Sequence, residues 1–182
     1  MTTIVAVQYD DKVVFVSDNQ VTGDDGRIYH HPKMEKVSSR GEYLIAGSGE
    51  VGPCDIAQHI WNPPKPTAKD RQDIYHFMII KVMPSLRKCL IENGHDFNEG
   101  KGDGKEASSR FNFLISVCGE VFDVADDCSI IMSDDGIYGV GSGSAYAIGA
   151  LHAGAKPLKA LNIAAKLDAN TSGPFLTKEQ YK

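Results

Sequence analysis

The sequence predicts an α+β fold in which two antiparallel sheets stack face to face between two layers of helices. Two observations carry this. Strand and helix signals fall in blocks: strands, two helices, strands, two helices, and a short final segment. Hairpins segregated from helix pairs point to antiparallel sheets and not to a βαβ repeat. Strands such as Ile4-Val5-Ala6-Val7 also read as unbroken apolar runs, as expected where both faces are covered. No internal repeat or second domain is visible, so residues 1–182 are expected to form one domain.

Each element follows from local chemistry. Thr2 to Val7 is β-branched and apolar, Val13 to Val16 is a second such run, and Asp10-Asp11 reads as the hairpin turn between them. After Asp18 comes a polar stretch with Gly23, Asp24, Asp25 and Gly26, then a short Arg27-Ile28-Tyr29. Glu42 to Ala46 is another strand, ending in Gly47-Ser48-Gly49. Cys54 to Trp61 reads as a short helix with Pro53 in its first turn, broken by Asn62-Pro63-Pro64-Lys65-Pro66. Thr67 to Asp70 suits the cap of a longer helix whose apolar face carries Ile74, Phe77, Met78, Val82, Leu86 and Leu90. Pro84 is expected to kink that helix and Asn93-Gly94 to end it. Residues 96–109, rich in Gly, Lys and acids, are expected to be a mobile surface loop. Strands resume at Phe111 to Cys118, Val121 to Val124, Ser129 to Met132 and Ile137 to Val140. Helices follow from Ser144 to Ala153 and from Pro157, the second with Leu158, Leu161, Ala165 and Leu167 on one face. Any closing strand after Pro174 is expected to be short.

Composition narrows the function classes. A 42% hydrophobic share is enough for a core without disulfide or metal. Cys54, Cys89, Cys118 and Cys128 are widely spaced with no CxxC pair, which suits reduced thiols in a cytoplasm. The start has no basic segment followed by a long apolar one, so no secretory signal is expected, and no run approaches the roughly 18 apolar residues of a membrane span. A net charge of −5, with no long basic block, argues against nucleic-acid binding. His30-His31 lack the spaced partners of a metal site and read as surface histidines.

The chemistry starts at Met1-Thr2. Met before a small residue is a form from which an aminopeptidase can release a free N-terminal Thr. Such a Thr carries a hydroxyl nucleophile and an α-amine that titrates near ~7.7–8.0, so it needs no His as base. Alone, Met-Thr also fits two strand-forming residues at a chain start. Asp18, at the end of the second strand, lies beside the strand that begins at Thr2 and suits pairing with a lysine such as Lys36. A buried ammonium there would lower the cost of an alkoxide. Gly47, ending the Ile45-Ala46-Gly47 strand, has a backbone N–H suited to an oxyanion; equally, it suits a simple strand-to-helix turn.

Thr2-Thr3-Ile4-Val5, the strand-ending Asp18, Lys36-Val37, Ile45-Ala46-Gly47 and Gly141-Ser142-Gly143 occur in one order. Together, from Thr2 to about Gly173, they resemble the β-type subunits of the 20S proteasome and the bacterial HslV peptidase. The resemblance implies the αββα sandwich of N-terminal nucleophile hydrolases, assembled as a homo-oligomeric ring around a proteolytic chamber. It implies polypeptide substrates, an AAA+ unfoldase as partner and no cofactor. By position, Thr2 would be nucleophile and base, Asp18 and Lys36 would tune it, Gly47 would supply the oxyanion N–H and Ser142 would support the terminal amine. Ile45 would sit at the specificity pocket. Asp168-Ala-Asn-Thr171-Ser172-Gly173 is similar to the family's Asp-x-x-Ser-x-Gly element, with Thr171 where Ser is usual and Ser172 the competitor in a shifted register. The stretch between Asp18 and Lys36 is slightly longer than the family's, which leaves Lys33 as competitor to Lys36.

Two other readings remain. A catalytically silent ring or scaffold subunit would keep the fold without a free Thr2. Gly47-Ser-Gly49-Glu-Val-Gly52 matches GxGxxG, but the Pro-rich 62–66 cannot supply the second parallel strand of a dinucleotide site.

Overall fold

The computed structural model describes residues 2–97 and 111–182, apart from Asp24. In chain order come β1 (Thr3–Gln8), β2 (Lys12–Ser17), β3 (Val21–Thr22), β4 (Ile28–Tyr29), β5 (Val37–Arg40) and β6 (Tyr43–Gly49). Helix α1 (Val51–Asp55) continues as a π turn (Ile56–Ile60). A 3-10 turn (Asp70–Gln72) then leads to α2 (Ile74–Phe77), a second π turn (Met78–Val82) and α3 (Met83–Glu92). Strands β7 (Phe111–Val117), β8 (Glu120–Val124), β9 (Ile130–Ile131) and β10 (Ile137–Gly141) follow, then α4 (Ser144–His152), α5 (Pro157–Leu167) and β11 (Leu176–Tyr181).

The strands form a mixed α/β architecture with separate antiparallel sheets. One runs β10-β1-β2-β11, another β5-β6-β7-β8-β9, and β3 pairs with β4 as a two-stranded ribbon. Side chains alternate across a strand, and that alternation sorts the core. Ile4, Ala6, Val13 and Phe15 from the first sheet cluster with Val37, Leu44, Ala46 and Leu114 from the second. Their neighbours Val5, Val7, Val14 and Val16 pack instead on Ala147, Ala150, Leu151, Ala160, Leu161 and Ala164 of α4 and α5. On the second sheet, Tyr43, Ile45, Phe113 and Ile115 pack on Trp61, Phe77, Met78, Leu86 and Leu90 of the other helical block. Apolar strands are thus buried on both faces, each fully buried aliphatic side chain contributing about 1.5–3 kcal/mol.

Several boundaries differ from the sequence reading. β6 does not end at Ala46 but runs through Gly49, because β7 supplies partners Phe113, Asn112 and Phe111 for its last three residues. The short helix begins at Val51, ahead of Cys54. Thr67 and Asp70 bond each other around the 3-10 turn, and the true cap of α2 is Asp73, whose carboxylate accepts the His76 N–H at 2.9 Å. Pro84 lies in the first turn of α3, just after the π turn, where a missing N–H is tolerated. The closing strand β11 has six residues and pairs with β2 from Ser17 to Lys12. β6 has antiparallel neighbours on both sides, so Gly47, Gly49 and Gly52 do not stand at a βαβ crossover. Of the loop expected at 96–109, residues 98–109 lie outside the described residues.

Candidate active site

The start of β1 is where the sequence-predicted residues converge. β1 lies between β10 and β2, with Thr3 opposite Gly141 and Ile4 opposite both Val140 and Ser17. Asp18 directly follows β2, and its N–H donates to the Thr3 carbonyl at 3.0 Å. Its fully buried carboxylate accepts the Thr3 N–H at 2.8 Å and Lys36 Nζ at 2.7 Å on Oδ1, and the Gln20 N–H at 3.0 Å on Oδ2. Lys36 Nζ also donates to the Gln20 carbonyl at 2.5 Å. Because Thr3 N is bonded to the Thr2 carbonyl carbon, this ion pair sits one residue from the Thr2 side chain. Burial pulls the Lys36 ammonium below the ordinary lysine value, and the Asp18 carboxylate partly offsets it. Lys33 is exposed, so Lys36 is the lysine brought to Asp18.

A second cluster grips β1 from the other side. Ser142 Oγ and Thr171 Oγ1 donate to Asp168 Oδ2 at 2.7 and 2.6 Å. With the Thr171 proton committed to Asp168, the 2.5 Å contact between Thr171 Oγ1 and Thr3 Oγ1 takes its proton from Thr3. Thr3 Oγ1 in turn accepts the Gly143 N–H at 3.0 Å. The result is a one-way chain from Gly143 through Thr3 and Thr171 to the carboxylate. Burial opposes the charge on Asp168, but the bonds from Thr171, Ser142 and Asn170 prevail and hold its carboxyl below the usual carboxylate range. Ser172 lies outside this chain, its hydroxyl 3.5 Å from His30 Nε2.

Glycine is required at two positions here. Gly141 has φ +95°, and a Cβ on it would fall 1.9 Å from the Thr2 carbonyl oxygen. At Gly143 a Cβ would meet Thr3 Oγ1 at 2.3 Å and Thr171 Oγ1 at 2.8 Å. Gly143→Ala is therefore expected to lower stability by about 1–3 kcal/mol, read as a lower denaturant midpoint at unchanged slope.

The remaining two residues stand differently. The Gly47 N–H donates to the Lys36 carbonyl at 3.3 Å, a long bond. Ile45 is fully buried in the cluster with Cys54, Ala57 and Trp61. Cys54 packs its sulfur against Gly47, and burial pushes its thiol up to about 12, which disqualifies it as a competing nucleophile. Two surface cavities, of about 360 and 460 Å³, lie at the far end of β6 around Gly41 and Glu42. Among the described residues no group of three metal-binding side chains is present, and no helix is long and apolar enough to cross a membrane.

Sequence reasoning missed Thr3, Gln20, Gly143 and Gln58. The tandem Thr2-Thr3 was a usable signal for Thr3, since alternation turns its side chain to the opposite face from Thr2. Nothing in the sequence marks Gln58, whose role depends on tertiary packing.

No family model matches the chain. The chain is 28% identical over 171 residues to the ATP-dependent protease subunit HslV of Thermosipho melanesiensis, covering 91% of this chain and 82% of that protein. Thiobacillus denitrificans BPH, solved in complex with epoxomicin, superposes with a TM-score of 0.71 at 20% identity over 98% of both chains. The eukaryotic HslV from Trypanosoma brucei gives 0.63 at 19% identity over 99% of both. In sequence order, in fold and over nearly its whole length, the chain resembles the HslV-like N-terminal nucleophile peptidases.

Proposed function

We propose that the chain is a threonine-type endopeptidase subunit that hydrolyses peptide bonds through an acyl-enzyme on Thr2. The observation that carries this is the buried Asp18–Lys36 pair bonded to Thr3 N, one residue from the proposed nucleophile. With Met1 removed, the α-amine of Thr2 accepts the hydroxyl proton, directly or through one water, and Oγ1 attacks the peptide carbonyl. The Lys36 ammonium stabilises the developing alkoxide, and the Gly47 N–H takes the oxyanion. The C–N bond then breaks, the amine leaves with the proton, and water activated by the same α-amine hydrolyses the ester. Asp168, Thr171 and Ser142 hold the start of β1 and the terminal amine in place.

The wider reading is of one domain, 1–182, in a four-layer αββα arrangement, supported by the three apolar clusters that separate helices, sheet, sheet and helices. It includes a homo-oligomeric ring taking unfolded polypeptides and an AAA+ unfoldase partner. The relative's description as an ATP-dependent protease subunit supports that partner. A cytoplasmic location fits four free cysteines. The reaction needs no cofactor.

Intact mass of protein from its natural host is the first test. Loss of Met1 is expected, with Thr2-dependent peptide hydrolysis in the same sample. Retention of Met1 would remove the N-terminal nucleophile and leave a catalytically silent ring or scaffold subunit as the better reading.

A further inference from the structure

We propose that Gln58 is a positioning residue for the oxyanion donor Gly47, an inference that rests on the threonine-peptidase reading. Gln58 lies in the π turn after α1, and its side chain is 3% exposed. Its Nε2 donates to the Lys36 carbonyl at 3.1 Å. A side-chain amide facing a carbonyl must present its nitrogen, so the direction of this bond is fixed by its partner. The same carbonyl oxygen accepts the Gly47 N–H at the long distance of 3.3 Å.

That shared acceptor is the point of the arrangement. In an ordinary ladder the Lys36 carbonyl would depend on Gly47 alone, and turning the Gly47 N–H toward an oxyanion would strand a buried acceptor. An unsatisfied buried carbonyl costs much of what the new oxyanion bond would gain. Gln58 supplies a second donor that stays behind. The Gly47 N–H therefore shifts from Lys36 O to the oxyanion while Lys36 O keeps a partner, and the register of β5 against β6 is preserved. The π turn has a wider backbone spiral than an α-helix and sets where residue 58 leaves the helix. Gln58 does not work through the ammonium: Lys36 Nζ is held on Asp18 Oδ1 and Gln20 O, atoms that Gln58 does not touch in these bonds. Cys54, packed against Gly47, offers only a weak S–H donor and does not replace an amide N–H.

The test uses full-length, Met1-processed protein with a fluorogenic peptide, comparing Gln58→Met, close in shape without a donor, with Gln58→Leu, shorter and likewise without a donor or a charge. Both variants are expected to lose about tenfold in kcat with KM within about twofold of wild type. A peptide aldehyde, which forms a tetrahedral adduct with a hydroxyl nucleophile, is expected to lose affinity by the same factor. Both limbs of the pH–rate profile should stay in place, which a general loosening around Lys36 would not allow. Should Gln58→Met fail to fold, Gln58→Leu and the aldehyde carry the test. Thr2-dependent hydrolysis that survives both substitutions undiminished overturns this proposal alone. A loss accompanied by a displaced alkaline limb also overturns it, because Gln58 would then act through the ammonium. Absence of any Thr2-dependent hydrolysis in the wild type sinks the peptidase reading itself.

Discussion

Thr2→Ala protein, processed to the same N-terminus, is expected to fold as the wild type does and to hydrolyse peptides at least ~10³-fold more slowly. The substitution removes one hydroxyl and leaves the Thr3 bonds to Asp18, Gly143 and Thr171 untouched. Thr2 precedes β1, so replacing its side chain leaves the sheet register intact. Thr2→Ser keeps the hydroxyl and should retain measurable turnover. Wild-type turnover in Thr2→Ala, normalised to active protein, would exclude Thr2 as nucleophile whatever the fold.

Lys36→Met should be nearly as damaging, for a different reason. Its ammonium is the cation bonded to a carboxylate that has no exposure, and removing one partner of a buried pair costs about 3–5 kcal/mol. The Thr3 and Gln20 N–H groups remain on Asp18 and blunt that penalty, so the protein is expected to fold with a lowered midpoint and about 10²-fold less turnover. Lys33→Met, on an exposed turn, should change neither; the reverse outcome would transfer the role to Lys33. The same ammonium shapes the pH profile. The rate should rise as the Thr2 amine loses its proton around ~7.7–8.0. It should fall again as Lys36 loses its own. Burial lowers the Lys36 pKa, so the charged form is lost at a lower pH than for a free lysine and the alkaline limb begins early. An alkaline limb at or above the ordinary lysine range would mean that the Asp18 carboxylate outweighs burial at Lys36.

Much of the fold was legible because it rests on local pattern. The apolar runs at residues 4–7 and 13–16, the Asp10-Asp11 turn and the Pro-rich break at 62–66 each specify their own conformation. Errors fell where a partner decided the outcome. The Gly47-Ser48-Gly49 segment reads as a strand end, yet β7 offers a ladder to its last residue. Thr67-x-x-Asp70 forms its reciprocal bonds, but on a 3-10 turn, because Asp73 caps the helix itself. β11 pairs with β2 across about 160 residues of chain, a pairing that no local signal encodes.

The candidate site divides the same way. Residue types and their order along the chain determined which groups were available: a tandem Thr start, a strand-ending acid, a lysine, strand-end glycines and an acid with hydroxyls near the end. Tertiary structure decided which of them meet. It selected Lys36 over Lys33 by burying one and leaving the other in solvent, and Thr171 over Ser172 by aiming one hydroxyl at Asp168 and the other toward His30. It also recruited Thr3, which only the tandem Thr start signals, and Gln58, whose sequence neighbourhood carries no mark. The physical reason is that a hydrogen bond or ion pair is fixed to tenths of an ångström by the packing of several elements at once. Sequence pattern specifies each element's face and period, but not the distance between two of them.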